Sequence, residues 1–322
     1  MQILVTDRNL VPHRARFEAA LPTDARVVWG DEHALRTAEV YVGGRFTAEM
    51  ARVAEKLRLI HVAGAGTDRV DFTALGPDIQ VANTFHHERS IAEYVLSAAI
   101  TLRRDFLAQD RALRRGVWAT SVYDDTIAQP PTVAGARIGF VGFGHIGGRS
   151  WELLRALGCT GAAVTGSGRV DPAHGLAWAA DTASSLDRLM AESDVVVVSA
   201  PLSAATTGMI GAAQLAALGA DGVLINVGRG PLVDEHALYD ALLHRSIRAA
   251  AIDVWYRYPA PGTDGCPPAG LPFHELTNIL MTPHSSGVTA DTFAGRADDI
   301  AANIGRLGRG EPLRNLVAQS AS

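Results

Sequence analysis

The stretch Arg137-Ile-Gly-Phe-Val-Gly142-Phe-Gly144-His-Ile-Gly147 decides how this chain is read. A short apolar run leads into Gly-x-Gly-x-x-Gly, and Trp151-Glu-Leu-Leu-Arg-Ala-Leu157 follows with helical spacing. A strand, a glycine turn and a helix in that order suit a dinucleotide pyrophosphate. One glycine makes the tight turn, one lets backbone approach phosphate, and one lets the helix pack on the strand. The helix N-terminus offers N–H donors and the positive end of its dipole. In a chain with 32 glycines the spacing alone says little; the flanking strand and helix give it weight.

Working outward, short β-rich runs alternate with helical patterns. Candidate strands are Gln2–Thr6, Leu59–Ala63, Ile138–Gly142, Ala162–Thr165, Val195–Ser199, Gly222–Asn226, Ala249–Asp253 and Ile279–Thr282. Continuous apolar runs such as Val195-Val-Val-Val198 belong to strands buried on both faces, which predicts parallel sheets covered by helices. The fold class expected is α/β, doubly wound. The glycine fingerprint normally opens the first βαβ unit of its domain, yet here it lies near the middle of the chain. A dinucleotide-binding Rossmann domain, residues 101–287, is therefore expected to be inserted into another domain made of residues 1–100 and 288–322. Ser90–Arg104 and Ala290–Leu307 read as long helices at the two crossings.

Composition narrows the function classes. A length of 322 residues suggests about two domains. Hydrophobic residues make up 48% and charged residues 20%, ordinary for a globular chain. A net charge of -5 supplies no basic field, so nucleic acid is not an expected partner. No apolar run reaches the ~18 residues of a membrane span. The start, Met-Gln-Ile-Leu-Val-Thr-Asp, reads as a strand without a basic leader, so no signal peptide and a cytoplasmic location are expected. Cys159 and Cys266 are too far apart in sequence for a disulfide framework or zinc motif; two free thiols and no metal are expected. Lys56, the single lysine, reads as part of a helical stretch, which sets Schiff-base chemistry aside.

Four motifs, from about residue 57 to 317, resemble the D-isomer-specific 2-hydroxyacid dehydrogenase family. They are His61-Val-Ala-Gly64-Ala-Gly66-Thr-Asp-Arg-Val-Asp71, Gly142–Gly147, Ile225-Asn-Val-Gly-Arg229-Gly-Pro-Leu-Val-Asp234 and Met281-Thr-Pro-His284. The resemblance implies a flavodoxin-like substrate domain around the Rossmann domain. It also implies hydride transfer between a nicotinamide and a small 2-keto or 2-hydroxy acid, and a homodimer built in part by Val117–Ile127. Each motif suits that chemistry. Arg229 is a permanently charged planar fork for a carboxylate and a ketone oxygen. The N–H groups of Ala65 and Gly66 suit the other side of the carboxylate, and His284 is the proton donor to the ketone. Asn83 matches a position near the active site. Asp253 is assigned to the nicotinamide amide. Gly142, Gly144, His145, Ile146 and Gly147, with Ala200, Pro201, Val227 and Gly228 at strand ends, are expected to line the cofactor.

Two departures from the family pattern bear on chemistry. Family members carry a glutamate just before the proline after the Asp253 strand, where it pairs with the catalytic histidine. Here the segment reads Asp253-Val-Trp-Tyr-Arg-Tyr258-Pro259. A neutral phenol supplies no charge–charge stabilisation of imidazolium, so His284 is expected to titrate lower than its counterparts. Glu275 is a candidate substitute. Second, the end of the second Rossmann strand reads Thr165-Gly-Ser167-Gly-Arg169, with no acid before Asp171. Two hydroxyls and an arginine suit a 2′-phosphate, as in the NADP(H)-preferring glyoxylate/hydroxypyruvate reductases, and favour NADP(H) over NAD(H). The Pro- and Gly-rich Pro259–Pro272 reads as a lid or a surface loop. A related oxyanion substrate such as a phosphonate, and a non-catalytic corepressor-like role, are the alternatives. Retention of both Arg229 and His284 argues against the latter.

Overall fold

A computed structural model describes residues 1–260, 263 and 265–317. The chain divides into two compact units, Met1–His86 with the segment from Val288, and His87–Gly287. The sequence reading carried the first unit to residue 100. The helix that follows His86 explains the difference: its apolar face, Ile91, Ala92, Val95, Ala98, Ala99 and Leu102, is buried in a core shared with Phe140, Trp151, Val195 and Val223 of the second unit.

The first unit holds β1 (Gln2–Val5), β2 (Arg26–Trp29), β3 (Val40–Val42), β4 (Leu59–His61) and β5 (Gln80–Ala82). All pair in parallel in the order β2-β1-β3-β4-β5, the flavodoxin-like arrangement. Successive side chains point to opposite faces, and the two cores follow that rule. Ile3, Val5, Val40, Val42 and Leu59 pack under the C-terminal helix on Phe293, Ala297, Ile300 and Ile304. Leu4, Tyr41, Ile60 and Val81 pack on the other face with Leu35, Phe46 and Met50. The helices are α1 (Arg14–Ala19) and α2 (Ala48–Val53) here, and the C-terminal helix Ala290–Arg309. Lys56 lies in the turn after α2 rather than in a helix.

The second unit begins with α3 (Glu88–Arg103) and α4 (Phe106–Leu113). Its strands are β6 (Arg137–Val141), β7 (Thr160–Thr165), β8 (Trp178–Asp181), β9 (Val195–Val198), β10 (Val223–Asn226), β11 (Ala249–Ile252) and β12 (Ile279–Met281). Helices α5 (His145–Arg155), α6 (Thr182–Glu192), α7 (Ala212–Leu218) and α8 (Glu235–Leu243) connect them, and the C-terminal helix is α9. The sheet is parallel in the order β12-β11-β10-β9-β6-β7-β8. The order runs outward in both directions from the β6–β9 pair, so the topological switch point lies beside the glycine fingerprint, where doubly wound sheets bind ligands. Every residue of β9, β10 and β11 is buried. Val195 and Val197 face one core, Val196 and Val198 the other.

Candidate active site

The glycine turn follows directly from sterics. Gly142 has φ +87°, and a Cβ there would lie 2.6 Å from Ala200 N. A Cβ at Gly147 would lie 3.0 Å from Gly142 O, so this glycine lets α5 close on the turn. Gly144 N-caps α5 without a side-chain bond to the first-turn amides, and a Cβ there would meet nothing within 4 Å. No side chain thus caps the start of α5, an end of the kind that suits an anion. His145 and Ile146 form its first turn.

A crevice of about 730 Å³ opens at this point, bounded by Gly142, Gly144, Thr165, Ser167, Arg169, Ala200 and Pro201 among others. Thr165 Oγ1 and Ser167 Oγ stand 3.5 Å apart, Arg169 N donates to Ser167 Oγ at 3.3 Å, and Gly168, at φ +69°, makes the turn. The exposed Arg169 has no carboxylate within 4.0 Å among the described residues. Asp181 also borders the crevice, in register with Thr165. Its carboxylate is engaged in capping α6, accepting Ser184 N at 3.0 Å and Ser184 Oγ at 2.6 Å, and those bonds hold its pKa below the ordinary value. Sequence spacing missed Asp181 because β8 is short, Trp-Ala-Ala-Asp, and its acid meets the β7 end only through strand pairing.

Arg229 leaves the carboxyl end of β10. Buried Asn226 fixes its loop: Gly228 N donates to Asn226 Oδ1 at 3.1 Å, and Asn226 Nδ2 donates to Arg229 O at 3.0 Å. The Arg229 guanidinium donates to Gly228 O at 2.9 Å. A Cβ at Gly228 would sit 3.1 Å from Ala200 O, which places Val227-Gly228 beside the glycine crevice wall. A Cβ at Gly230 would sit 2.4 Å from Trp255 O, so the turn after Arg229 needs glycine.

His284 has φ +57°, a sparsely populated conformation for a non-glycine residue. The segment around it is anchored by Asp253, which is 1% exposed. Asp253 Oδ1 accepts Thr282 Oγ1 at 2.6 Å and Ser285 N at 2.9 Å; Oδ2 accepts Ser286 N at 3.1 Å and Ser286 Oγ. Trp255 Nε1 donates to Thr282 O at 2.8 Å. Tyr94 shares a hydrogen bond with Thr282 Oγ1 at 3.1 Å, and burial pushes its phenol up to about 12. The resemblance assigned Asp253 to the nicotinamide amide; in the structure both its oxygens accept from segment 282–286. Tyr258 stands beside His284, ring centroids 5.6 Å apart and tilted 55°, and its hydroxyl accepts Trp255 N at 3.1 Å. Glu275 is exposed and lies 3.9 Å from His274. Part of Pro259–Pro272 lies outside the described residues. Its described end is pinned: Tyr256 N and Arg257 N donate to Pro268 O, and Leu271 N to Glu235 Oε1.

Ala65, Gly66 and Asn83 belong to the first unit. Asn83 Nδ2 donates to Ala65 O at 2.8 Å, and Arg296 donates to Ala63 O and Phe85 O at 3.1 and 2.9 Å. Among the described residues the N–H groups of Ala65 and Gly66 have no hydrogen-bond partner, as an oxyanion loop requires. Asn83 is thus a brace for this loop. Among the described residues no cluster of metal-binding side chains occurs, and no helix is long and apolar enough to cross a membrane. Cys159 and Cys266 are free.

Residues 96–286 match the family model of the D-isomer specific 2-hydroxyacid dehydrogenase NAD binding domain. The D-3-phosphoglycerate dehydrogenase of Mycobacterium tuberculosis is 32% identical over 260 residues, covering 80% of this chain and 46% of the relative. The chain thus spans about half the length of the phosphoglycerate dehydrogenases it matches. The glycerate dehydrogenase of Methylorubrum extorquens is 32% identical over 267 residues, 81% of this chain and 79% of that protein. Among solved structures, the NADPH-dependent glyoxylate/hydroxypyruvate reductase of Sinorhizobium meliloti superposes with a TM-score of 0.79 at 26% identity, covering 99% of this chain and 97% of that one. The family model spans more than half of the chain, and the chain belongs to the D-isomer-specific 2-hydroxyacid dehydrogenase family.

Proposed function

We propose that this protein reduces a small 2-keto acid with NADPH in preference to NADH. The observation that carries the reading is the bracing of Arg229 and His284. Each stands just past a parallel strand, and a buried polar side chain, Asn226 or Asp253, holds its loop. Preorganisation of that kind is costly to maintain and serves chemistry at a fixed point. The residues present fit a dinucleotide: the uncapped start of α5 suits the pyrophosphate, and Thr165, Ser167 and Arg169 suit a 2′-phosphate. The S. meliloti neighbour, which is NADPH-dependent, supports the same preference.

The bound nicotinamide supplies the hydride. Arg229 binds the substrate carboxylate and polarises the ketone with its charged fork. His284 gives its proton to the ketone oxygen as that oxygen gains charge, so the product is the 2-hydroxy acid. Tyr258, packed on His284, orients the imidazole without adding charge. We also propose a homodimer. Trp118, Val122 and Tyr123 are exposed, 63%, 76% and 69%, in the segment the family uses for that contact. Free thiols suit a reducing cytoplasm.

The test is nicotinamide oxidation with NADPH and NADH against glyoxylate, hydroxypyruvate, pyruvate and phenylpyruvate. Turnover lost in Arg229→Ala and in His284→Ala supports the reading. Tight cofactor binding with no turnover of any keto acid sinks it, in favour of a different oxyanion or a non-catalytic role.

A further inference from the structure

We propose a second anion-binding site on the dinucleotide-binding unit, at the end of its sheet opposite the cofactor crevice. A cavity of about 210 Å³ is lined by Asp105, Arg111, Arg115, Arg245, Thr277 and Asn278, among others. Asn278 immediately precedes β12, and Ala249, the first residue of β11, also lines it. The cavity therefore sits at the amino ends of these strands. Catalytic crevices of such sheets lie at the carboxyl ends, so this space is separate from the proposed reaction.

Two observations point to an anion. First, Arg111, Arg115 and Arg245 converge on the cavity, and among the described residues none has a carboxylate within 4.0 Å. Several other surface arginines do have acid partners: Arg14 with Glu18, Arg36 with Glu55, Arg137 with Asp194 and Arg188 with Glu192 all lie within 3 Å. The one acid in the cavity wall, Asp105, is taken by Arg248 at 3.0 Å, which also holds Asp221 at 2.9 Å. Asp110, which feels the charge of Arg111, is held by Arg114 at 2.8 Å, so none of the three lining guanidiniums has an ion-pair partner of its own among the described residues.

Second, two of the three are positioned. Arg111 donates to Thr277 O, and Arg245 donates to Thr277 Oγ1 at 3.2 Å. One residue thus anchors both forks, and each keeps further N–H donors. Asp105 and Arg245, at φ +54° and +53°, are the left-handed residues that end α3 and α8: Asp105 N donates to Leu102 O, Arg245 N to Leu242 O and Ser246 N to Ala241 O, which fixes where the cavity walls turn.

The ligand this geometry fits is a compact dianion, a phosphate monoester or inorganic phosphate. Planar guanidinium forks match its oxygens two at a time, and the small volume excludes a nucleotide of the size the main crevice takes.

The experiment is calorimetric titration of inorganic phosphate into protein saturated with nicotinamide cofactor, at constant ionic strength with chloride as the balancing ion. Saturation with cofactor occupies the anion sites of the glycine crevice. The Arg115 side chain makes no hydrogen bond among the described residues, and its backbone N–H, which donates to Ala112 O, is kept in Arg115→Ala, so that variant leaves the fold intact, and unchanged cofactor affinity checks this. The expected result is saturable binding of one phosphate per chain, at least tenfold weaker in Arg115→Ala and in Arg111→Ala and partly restored in Arg115→Lys. No saturable binding by the wild-type holoprotein overturns the proposal. So does binding that both alanine variants retain undiminished.

Discussion

Asp253 grips Ser286 with both carboxylate oxygens, accepting its N–H at 3.2 and 3.1 Å and its hydroxyl, two residues beyond His284. The left-handed backbone at His284 is thereby clamped on its C-terminal side. In Asp253→Asn one oxygen becomes an NH₂ that faces donors rather than accepting from them. Hydrogen bonds to a charged group are worth about 1.5–3 kcal/mol each, and orphaned buried donors add to the loss. The expected cost is about 3 kcal/mol in unfolding free energy and roughly a hundredfold in kcat. Denaturant melts and steady-state kinetics check it. A stable variant with wild-type kcat refutes the positioning role.

Asn226→Ala removes the link between Gly228 N and Arg229 O. Arg229 stays in the chain but its loop loosens. The expected signature is a rise in KM for the keto acid of about tenfold, with a stability loss of about 1–3 kcal/mol from the unsatisfied groups. Cofactor affinity should change far less, and fluorescence titration of the nicotinamide measures that contrast.

Arg169→Ala tests the cofactor reading. A 2′-phosphate loses its one cationic partner in the crevice, whereas a ribose hydroxyl loses little. The ratio of kcat/KM for NADPH over NADH should fall by about tenfold or more, the size of a charge-assisted hydrogen bond. An unchanged ratio places the discriminating contacts elsewhere.

Tyr258→Glu sets a carboxylate beside His284, where the two rings now lie 5.6 Å apart. A neighbouring negative charge favours imidazolium. The basic limb of the reductive pH–rate profile should move upward by about one unit. A profile that does not move shows that the new carboxylate does not reach the imidazole.

His61 gives a prediction about the first unit alone. It is fully buried in β4, its Nε2 lies 2.9 Å from Asn303 Nδ2, and burial lowers its pKa to about 4. The folded form resists protonation while the unfolded chain takes up a proton near 6.5. Between about pH 6.5 and 4 the unfolded state therefore binds more protons, so stability falls as the pH falls and levels off below both values. The full effect is up to about 3 kcal/mol. Unfolding free energies across that range should slope less in His61→Gln than in wild type, and equal slopes refute the assignment.

Much of this was legible in the sequence because buried parallel strands write themselves as apolar runs. Val195–Val198 and the Ile138–Val141 run into Gly142 needed no neighbours to be read. Strands β2, β3, β5 and β8 were missed; β4 and β12 are no longer than these, but β2 and β8 have no fully buried residue and so lack the continuous apolar run that marks β9, β10 and β11. The domain boundary slipped because a helix looks the same whichever sheet it covers; only the partners of Ile91 and Val95 assign α3 to the second unit. Arg229, His284 and Asp253 stood out by motif, but the bonds by which Asp253 and Asn226 hold the two loops did not. Asn226 and Ser286 are ordinary polar residues until the chain folds, and Asp181 meets Thr165 only through strand pairing.

The apolar face of α9 has a further consequence, for the order in which the chain acquires structure during synthesis. Residues 87–287 are contiguous and carry both cores of their own sheet. The first unit is not contiguous: Ile3, Val5, Val40 and Leu59 wait for Phe293, Ala297, Ile300 and Ile304 to cover them. At about 5–20 residues per second, a ribosome takes on the order of 10–40 s to make the intervening chain. The amino-terminal sheet thus spends that interval with one greasy face covered only in part, by Leu10 and Phe17 of its own segment, while the later-made unit is already free to close. A chain truncated shortly before residue 290 should therefore expose its first eighty residues to protease and chaperone, while the segment that follows them is protected.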